Sequence, residues 1–170
     1  MREIETKVLD IDKKALEKRL AELKAKREYC GPVENIYFDF QGGELKKSGS
    51  ILRLRKQGKK VMLTFKTSLK SDCMKIMEEK EIGVSNFKEA KKILCSVGMQ
   101  EIKRLKKKRT SYILGNVRIE IDEHKGIPAF AEIEAPSEKD IKETLKKLGL
   151  SRQKTVGWNF WQILAYYKKE

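Results

Sequence analysis

Residues 3–7 read Glu3-Ile4-Glu5-Thr6-Lys7, a segment in which charged and uncharged side chains alternate. Successive side chains of a β-strand point to opposite faces of the sheet, so a strand here would place Glu3, Glu5 and Lys7 together on one face. Two carboxylates about 7 Å apart along a strand, followed by an ammonium group, can hold a hard divalent cation and contact its anionic ligand. The alternative is the solvated face of an edge strand, and the segment by itself fits both.

The composition favours an anionic partner. The chain has 170 residues, of which 38% are charged, and a formal net charge of +14. This length predicts one domain over residues 1–170 that is long enough to bury a core. Because both signs of charge are abundant, the composition argues against a simple polycation, whereas nucleic acid, a phosphorylated small molecule and an acidic membrane surface all stay possible as partners.

Cysteine usage and hydropathy predict a cytoplasmic protein. The three cysteines, Cys30, Cys73 and Cys95, are odd in number, far apart and without a Cys-x-x-Cys pair. They are typical of reduced thiols rather than of disulfides or a zinc site. The sequence shows no charged-then-apolar leader, and no apolar run approaches the length of about 18 residues that a membrane span requires, so no membrane partner is expected. The single histidine, His124, is predicted to lie in a surface loop.

The alternation of residues 3–7 returns in later segments. Strands are predicted at 33–40, 50–56, 59–66, 74–84, 100–114, 116–123 and 130–135. Arg53 and Arg55 share one strand face. The guanidinium group of arginine can bind two phosphate oxygens at once, so this face could bind phosphate, although a solvated face is also possible. The basic run from Lys103 to Arg109 has the appearance of a nucleic-acid patch, but the strand period divides it and sets Lys107 and Arg109 on one face.

Amphipathic helices are predicted between these strands. They begin after the capping residues Asp12, Asn86 and Ser137, and the first is expected to end before Gly31-Pro32. A further short helix is expected in residues 157–167, docked on the body of the protein through its aromatic side chains.

The charged strand faces need an explanation, because seven or eight strands carry them. In a sheet that closes into a barrel with the helices packed outside, these faces would line a central tunnel in which acids and bases compensate each other. The face contains Glu3, Glu5, Lys7, Arg53, Arg55, Lys66, Glu79, Glu81, Lys107, Arg109, Arg118, Glu120, Asp122, Glu132 and Glu134. Such a lining suits a polyphosphate together with its divalent metal.

Several of these motifs carry a family resemblance. Glu3-x-Glu5-x-Lys7, Arg53-x-Arg55 followed by Lys66, Lys107-x-Arg109, and Asp122 followed by Phe130-Ala131-Glu132-Ile133-Glu134 together resemble the CYTH superfamily, the triphosphate tunnel metalloenzymes. The resemblance extends from residue 3 to about the end of the chain. It implies an α+β fold in which an eight-stranded antiparallel closed β-barrel forms a tunnel, with amphipathic helices packed outside. The ending Trp158-Asn159-Phe160-Trp161 departs from the Ser-Tyr-containing ending of that family.

The resemblance also implies the site. Mg2+ or Mn2+ would be held by Glu3, Glu5, Asp122, Glu132 and Glu134. The triphosphate would be bound by Lys7, Arg53, Arg55, Lys66, Lys107 and Arg109. Catalytic roles would fall to Lys7, Glu5 and Glu134.

The family includes class IV adenylate cyclases, thiamine triphosphatases and inorganic triphosphatases, so several functions are implied. The first expectation is a metal-dependent triphosphatase acting on ATP, thiamine triphosphate or inorganic triphosphate. The alternative is a class IV adenylate cyclase that converts ATP to cyclic AMP and pyrophosphate. A lesser alternative, a basic nucleic-acid-binding module, is weakened by carboxylates such as Glu5 and Glu132, which would repel a phosphate backbone. Monomer and homodimer are both compatible with the sequence.

Overall fold

The computed structural model describes residues 4–69 and 76–168. Its strands are β1 (Ile4–Val8), β2 (Lys26–Phe40), β3 (Ser50–Gln57), β4 (Lys60–Leu69), β5 (Ile76–Gly83), β6 (Met99–Leu114), β7 (Val117–Glu123), β8 (Phe130–Ala135) and β9 (Thr155–Val156). Its helices are α1 (Lys13–Glu22), α2 (Glu44–Lys47), α3 (Phe87–Ser96), α4 (Glu138–Lys147) and α5 (Phe160–Tyr167). The predicted strands at 33–40, 50–56 and 130–135 are therefore confirmed.

The sheet corrects one prediction. Hydrogen bonds join the described strands in the order β5-β4-β3-β2-β6-β7-β8-β1-β9. An antiparallel α+β fold is confirmed, but the closed eight-stranded barrel is wrong, because the described residues form nine strands and the hydrogen bonds among these strands do not close the sheet. The ninth strand is the two-residue β9, which pairs antiparallel with β1. Two residues are too few to show a period of two, and this explains why the sequence does not reveal the strand.

The first helix is shorter than expected. The Asp12 side chain accepts a hydrogen bond from the backbone of Ala15 at 3.1 Å, as predicted for a helix cap. The helix ends at Glu22, however, and Lys24 has a left-handed backbone with a φ of 56°. The apolar residues at helical spacing end with Leu23, and the chain then enters β2 at Lys26 rather than continuing as a helix to Gly31.

The chain divides into two compact units. Unit 1 comprises Met1–Gly31 and Lys107–Glu170, and unit 2 comprises Pro32–Lys106. Strands β2 and β6 each pass from one unit into the other. That residues 1–170 behave as a single domain stays a prediction.

Each unit has its own apolar core. In unit 1, Leu16 and Leu20 of α1 and Ile141 of α4 pack with Ile119 of β7 and Ile133 of β8. These two helices therefore cover the apolar face of strands β1, β7 and β8. The charged side chains of the same strands lie on the opposite face of the sheet. Across residues 4–69 and 76–168, no helix combines the length and the hydropathy needed to cross a lipid bilayer.

The core of unit 2 is built in the same way. Leu54 of β3 and Ile36 of β2 are fully buried, and α3 packs against their cluster through Phe87 and Leu94. Because side chains alternate along a strand, burial of Leu54 puts Arg53 and Arg55 on the opposite face.

A third apolar cluster, in unit 1, docks the C-terminal helix. Ile163 of α5 is fully buried and packs with Leu9 and Phe130. The predicted docked helix in residues 157–167 is thus confirmed as α5.

Candidate functional site

Strand register brings most of the predicted charged residues of unit 1 onto one face. Lys7 of β1 lies opposite Glu132 of β8, which lies opposite Glu120 of β7. In the next row Arg109 of β6 lies opposite Asp122 of β7. We call this set the β1–β8 cluster; it consists of Glu5, Lys7, Lys107, Arg109, Glu120, Asp122 and Glu132. Glu134 lies on the same face, opposite Glu5 and Arg118.

The centre of the cluster is a buried network around Asp122. This carboxylate is 1% exposed and accepts hydrogen bonds from Arg109 Nε at 2.6 Å and from Lys107 Nζ at 2.6 Å. Burial by itself would raise the pKa of Asp122, but the charge of Lys107 and the hydrogen bond from Arg109 outweigh it and lower the pKa. Asp122 therefore carries its negative charge between two cations, and its metal-binding role stays a prediction.

Glu120 is a member of the network to which the sequence assigns no role. It is 8% exposed, forms an ion pair with Arg109 and accepts a hydrogen bond from Ser111 Oγ at 3.2 Å. Its place on the charged face is evident from the strand alternation. Its partners depend on the register between β6 and β7, which the sequence pattern does not give.

Lys7 lies between two carboxylates in the second part of the cluster. Its ammonium group is 2.8 Å from Glu5 Oε1 and 3.9 Å from Glu132 Oε1. Burial lowers the pKa of Lys7, but the charges of Glu132 and Glu5 outweigh it and raise the pKa. Lys7 is therefore a firmly protonated cation although it is only 7% exposed.

The two carboxylates around Lys7 differ. Burial and the negative charge of Glu132 raise the pKa of Glu5. For Glu132, burial would raise the pKa, but the cations Lys7, Arg109 and Lys107 outweigh it and the pKa is lowered. Two carboxylates that repel each other in a partly desolvated site are stabilised when a cation is bound between them.

Lys107 is the cation whose charge is most affected by its surroundings. Burial and repulsion by Arg109 lower its pKa to about 8, although Asp122 and Glu132 favour the charged form. A desolvated ammonium group of this kind gains from any further negative charge brought into the site.

Among the described residues no group of three or more carboxylate, histidine or cysteine side chains is arranged to hold a metal. Glu5 and Glu132 nevertheless fit Mg2+ or Mn2+, because such ions are commonly bound through one or two carboxylates, with substrate phosphates and water completing the coordination. The predicted ligand Glu3 lies outside the described residues.

In unit 2 the predicted phosphate ligands are Arg53, Arg55 and Lys66. Together with the polar residues around them they form what we call the β3–β5 cluster: Asn35, Arg53, Arg55, Thr64, Lys66, Glu79 and Glu81. Arg53 is opposite Thr64, and Thr64 is opposite Glu81, so their side chains share a face. Lys66 Nζ lies 2.5 Å from Glu79 Oε2. Arg53 is 3.9 Å from Glu79 and from Glu81, and its buried Nε atom has no hydrogen-bond partner within residues 4–69 and 76–168. Arg55 Nε donates to Asn35 Oδ1 at 3.2 Å.

The basic run from Lys103 to Arg109 is divided as the strand period predicts. Lys107 and Arg109 belong to the β1–β8 cluster, whereas Lys106 and Lys108 are exposed. Arg104 is held by Glu101 at 2.7 Å and by Glu34 at 3.0 Å. The run is therefore not one continuous nucleic-acid patch.

His124 lies in the loop between β7 and β8, as predicted, but its ring is half-buried against aromatic side chains. Its ring stacks on Phe130 at a centroid distance of 5.5 Å and on Phe160 at 4.2 Å. Burial and the positive charge of Lys107 lower its pKa to about 4, so the imidazole is neutral at pH 7. The sequence gives little warning of this, because Phe160 belongs to a distant part of the chain.

Comparison with known proteins gives a family. The model of the CYTH domain matches residues 1–156. A protein of Methanocaldococcus jannaschii named "Putative adenylate cyclase" is 25% identical over 172 residues, which cover 96% of this chain and 98% of that protein.

Solved structures agree on the fold. A conserved hypothetical protein of Pyrococcus furiosus is 25% identical, with a TM-score of 0.76 and coverage of 95% of this chain and 99% of that chain. A Hippeastrum protein is described as a "putative adenylyl cyclase" with a dominant triphosphatase activity; it is 16% identical, with a TM-score of 0.71 and coverage of 98% of this chain and 96% of that chain. At 16% identity this second likeness concerns the fold alone.

Proposed function

Because the chain belongs to the CYTH domain family, we propose that it is a divalent-metal-dependent enzyme that binds a triphosphate and hydrolyses it. The observation that carries the proposal is the set of buried cations in the β1–β8 cluster: the side chains of Lys7, Lys107 and Arg109 are 9% exposed or less. Burying so many charges costs folding free energy, and a cluster of this kind is often retained for binding or catalysis.

The three cations are suited to phosphate oxygens. Arg109 offers a planar guanidinium group, which matches phosphate geometry, while Lys7 and Lys107 act as point charges. Little water reaches these groups, so each interaction with a charged oxygen is stronger than it would be on the surface. For Arg53, Arg55 and Lys66 of the β3–β5 cluster we likewise propose binding of phosphate oxygens.

We assign Mg2+ or Mn2+ to Glu5 and Glu132, with Glu3, Asp122 and Glu134 as further candidate ligands. When bound, the ion neutralises phosphate oxygens and activates water. It would also relieve the repulsion between Glu5 and Glu132 that raises the pKa of Glu5.

In hydrolysis a water oxygen forms a bond to the terminal phosphorus, and the bond from that phosphorus to its bridging oxygen breaks. Lys7 and Arg109 would hold the phosphate oxygens and stabilise the charge that develops on the departing diphosphate. We propose that one of two carboxylates on this face, Glu5 or Glu134, accepts the proton of the attacking water.

A class IV adenylate cyclase is the second candidate, and the name of the Methanocaldococcus jannaschii relative favours it. In that reaction the ribose 3′-hydroxyl attacks the innermost phosphorus, and pyrophosphate leaves. The same cations would serve both reactions, so the difference lies in how the organic end of the substrate is seated.

Product analysis tests the proposal. The pure protein is incubated with ATP, thiamine triphosphate or inorganic triphosphate, with Mg2+, with Mn2+ or with EDTA. Metal-dependent release of orthophosphate is expected, and it should be lost in Glu132→Gln but not in Glu78→Gln, which changes an exposed glutamate of β5. Cyclic AMP with pyrophosphate would establish the cyclase instead, and absence of metal-dependent turnover of all three would reject both enzymes.

A further inference from the structure

Asn35 is an uncharged side chain buried among the charges of the β3–β5 cluster. It lies on β2, is 2% exposed and is opposite Arg55 of β3 in the strand register. Ile36, the next residue, is fully buried in the apolar core of unit 2, so the alternation of the strand puts Asn35 on the charged face. Burial of a polar amide costs folding free energy unless its groups form hydrogen bonds, so the partner of Asn35 is informative.

The partner of Asn35 is Arg55, whose Nε atom donates a hydrogen bond to Asn35 Oδ1 at 3.2 Å. An arginine side chain has donors and no acceptor, so the oxygen of the amide must face it. The bond is made at the base of the guanidinium group. It therefore orients that group without itself using either terminal nitrogen, and these nitrogens are suited to the oxygens of a phosphate.

The other arginine of this strand face has a comparable neighbour. Arg53 is opposite Thr64 of β4, and Arg53 Nη2 donates to Thr64 Oγ1 at 3.4 Å. Thr64 is fully buried and donates its own hydroxyl proton to Glu81 at 2.6 Å, so its oxygen is oriented to accept from Arg53. Each of the two arginines thus has a hydrogen bond to an uncharged side chain of a neighbouring strand.

Arg109 of the β1–β8 cluster is held in a different way. Its Nε and Nη2 atoms donate to Asp122, and its Nη1 atom forms an ion pair with Glu120. These carboxylates hold the guanidinium group firmly, but they also offset part of its positive charge. The amide that orients Arg55 brings no negative charge that would repel a phosphate.

We propose that Asn35 is a positioning residue for triphosphate binding: it orients Arg55 toward the phosphate oxygens and, being uncharged, does not offset the charge of Arg55. This inference rests on the proposed function, which assigns Arg55 to the phosphates, and it adds a residue outside the predicted set of phosphate ligands. Asn35→Asp would strengthen the hydrogen bond to Arg55 but would bring a negative charge next to the phosphates. An amide at this position therefore favours anion binding over the strongest contact with the arginine.

Triphosphate binding measured without turnover tests the inference. Calorimetric titrations with inorganic triphosphate in EDTA compare the wild-type chain with Asn35→Ala, Asn35→Asp, Arg55→Ala and the double variant Asn35→Ala/Arg55→Ala. Gln100→Glu is the control for an added negative charge, because Gln100 is exposed near the start of β6 in the same unit. Circular dichroism and urea denaturation establish which variants are folded. Asn35→Asp keeps the size of the side chain and carries the test by itself if Asn35→Ala does not fold.

We expect Asn35→Ala to weaken binding by about threefold to tenfold, because Arg55 loses the hydrogen bond that orients it. The double variant should bind as weakly as Arg55→Ala and no more weakly, since Asn35 acts through Arg55. Asn35→Asp should weaken binding by about tenfold or more through repulsion of the phosphates, whereas Gln100→Glu should change it by less than twofold. A purely structural role would leave the affinity unchanged in Asn35→Asp, because that variant retains the acceptor.

Four results would overturn the inference. These are no binding of inorganic triphosphate by the wild-type chain, an unchanged affinity in folded Asn35→Ala or Asn35→Asp, losses that multiply in the double variant, and equal losses in Asn35→Asp and Gln100→Glu. The proposed function is tested separately, by metal-dependent hydrolysis in the wild-type chain. Hydrolysis together with unchanged binding in Asn35→Asp would reject the inference and leave the proposed function standing. The expected pattern of affinities in EDTA would support the inference even if no hydrolysis were observed.

Discussion

Arg109 and Asp122 form a bidentate ion pair in the interior of unit 1, with Nε to Oδ1 at 2.6 Å and Nη2 to Oδ2 at 2.7 Å. The same carboxylate also accepts a hydrogen bond from Lys107. Asp122 thus fixes the positions of two cations that we assign to the triphosphate.

Replacing Asp122 by alanine is therefore expected to destabilise the protein strongly. The substitution leaves Arg109 and Lys107 buried without their main partner, which typically costs about 3–5 kcal/mol of unfolding free energy. Urea denaturation at pH 7 measures the effect, and Asp122→Asn, which keeps the shape and one hydrogen-bond acceptor, should lose less. A loss below about 1 kcal/mol for Asp122→Ala would show that the network contributes little.

Metal binding should be visible as a change in stability. If Glu5 and Glu132 hold the ion, Mn2+ at about 100 times its dissociation constant should stabilise the wild-type chain by about 2.7 kcal/mol. The shift in Tm should be much smaller in Glu5→Gln and in Glu132→Gln, and it should be unchanged in the exposed control Glu78→Gln. Equal shifts in all four proteins would remove Glu5 and Glu132 from the metal site.

The arginines of the β3–β5 cluster give a separate test of phosphate binding. Arg53 has a buried Nε atom without a hydrogen-bond partner among the described residues, and Arg55 lies on the same strand face. Hydrogen bonds to charged groups are worth about 1.5–3 kcal/mol, so Arg53→Ala or Arg55→Ala should weaken triphosphate binding by about tenfold or more. Titration with inorganic triphosphate measures this, and Lys108→Ala, at an exposed position of β6, is the control. An equal loss in Lys108→Ala would mean that general charge attraction dominates.

The strand period predicted most of the candidate site. Glu5 and Lys7, Lys107 and Arg109, and Glu132 and Glu134 each share a face because side chains alternate with a period of two, and this holds whatever the strand pairs with. The first residues of the helices could also be predicted from the sequence, since Asn86 and Ser137 cap α3 and α4 as expected. Both features depend only on neighbours in the sequence.

Features that depend on distant parts of the chain were not predicted. The closed barrel was wrong because closure depends on which strand edges pair, and β9 is too short to be recognised. The loop position of His124 was predicted, but its stacking was not, because its partner Phe160 lies on α5. The opposite pKa shifts of Glu5 and Glu132 likewise follow from three-dimensional contacts rather than from residue type.

An ion-pair network in unit 2 gives a prediction about pH that is independent of the candidate site. Arg104 donates to both oxygens of Glu101 at 2.7 and 2.8 Å, and Lys91 donates to it at 2.6 Å. The hydrogen bond from Arg104 is the main cause that lowers the pKa of Glu101 from 4.5 to about 2. The folded state therefore releases this proton more readily than the unfolded state, and the network stabilises the protein above about pH 4.5.

Replacing Glu101 by glutamine should lower the unfolding free energy by about 1 kcal/mol at pH 7, a value that allows for screening near the surface. The difference between wild type and variant should shrink as the pH falls from about 4.5 toward about 2, because the wild-type carboxylate is then protonated. Urea denaturation at low salt over pH 7 to 3 measures the difference. Glu89→Gln, which removes a single exposed pair with Lys92, is the matched control and should change stability by less. A difference that stays constant across this pH range would show that Glu101 stabilises unit 2 through packing and not through its charge.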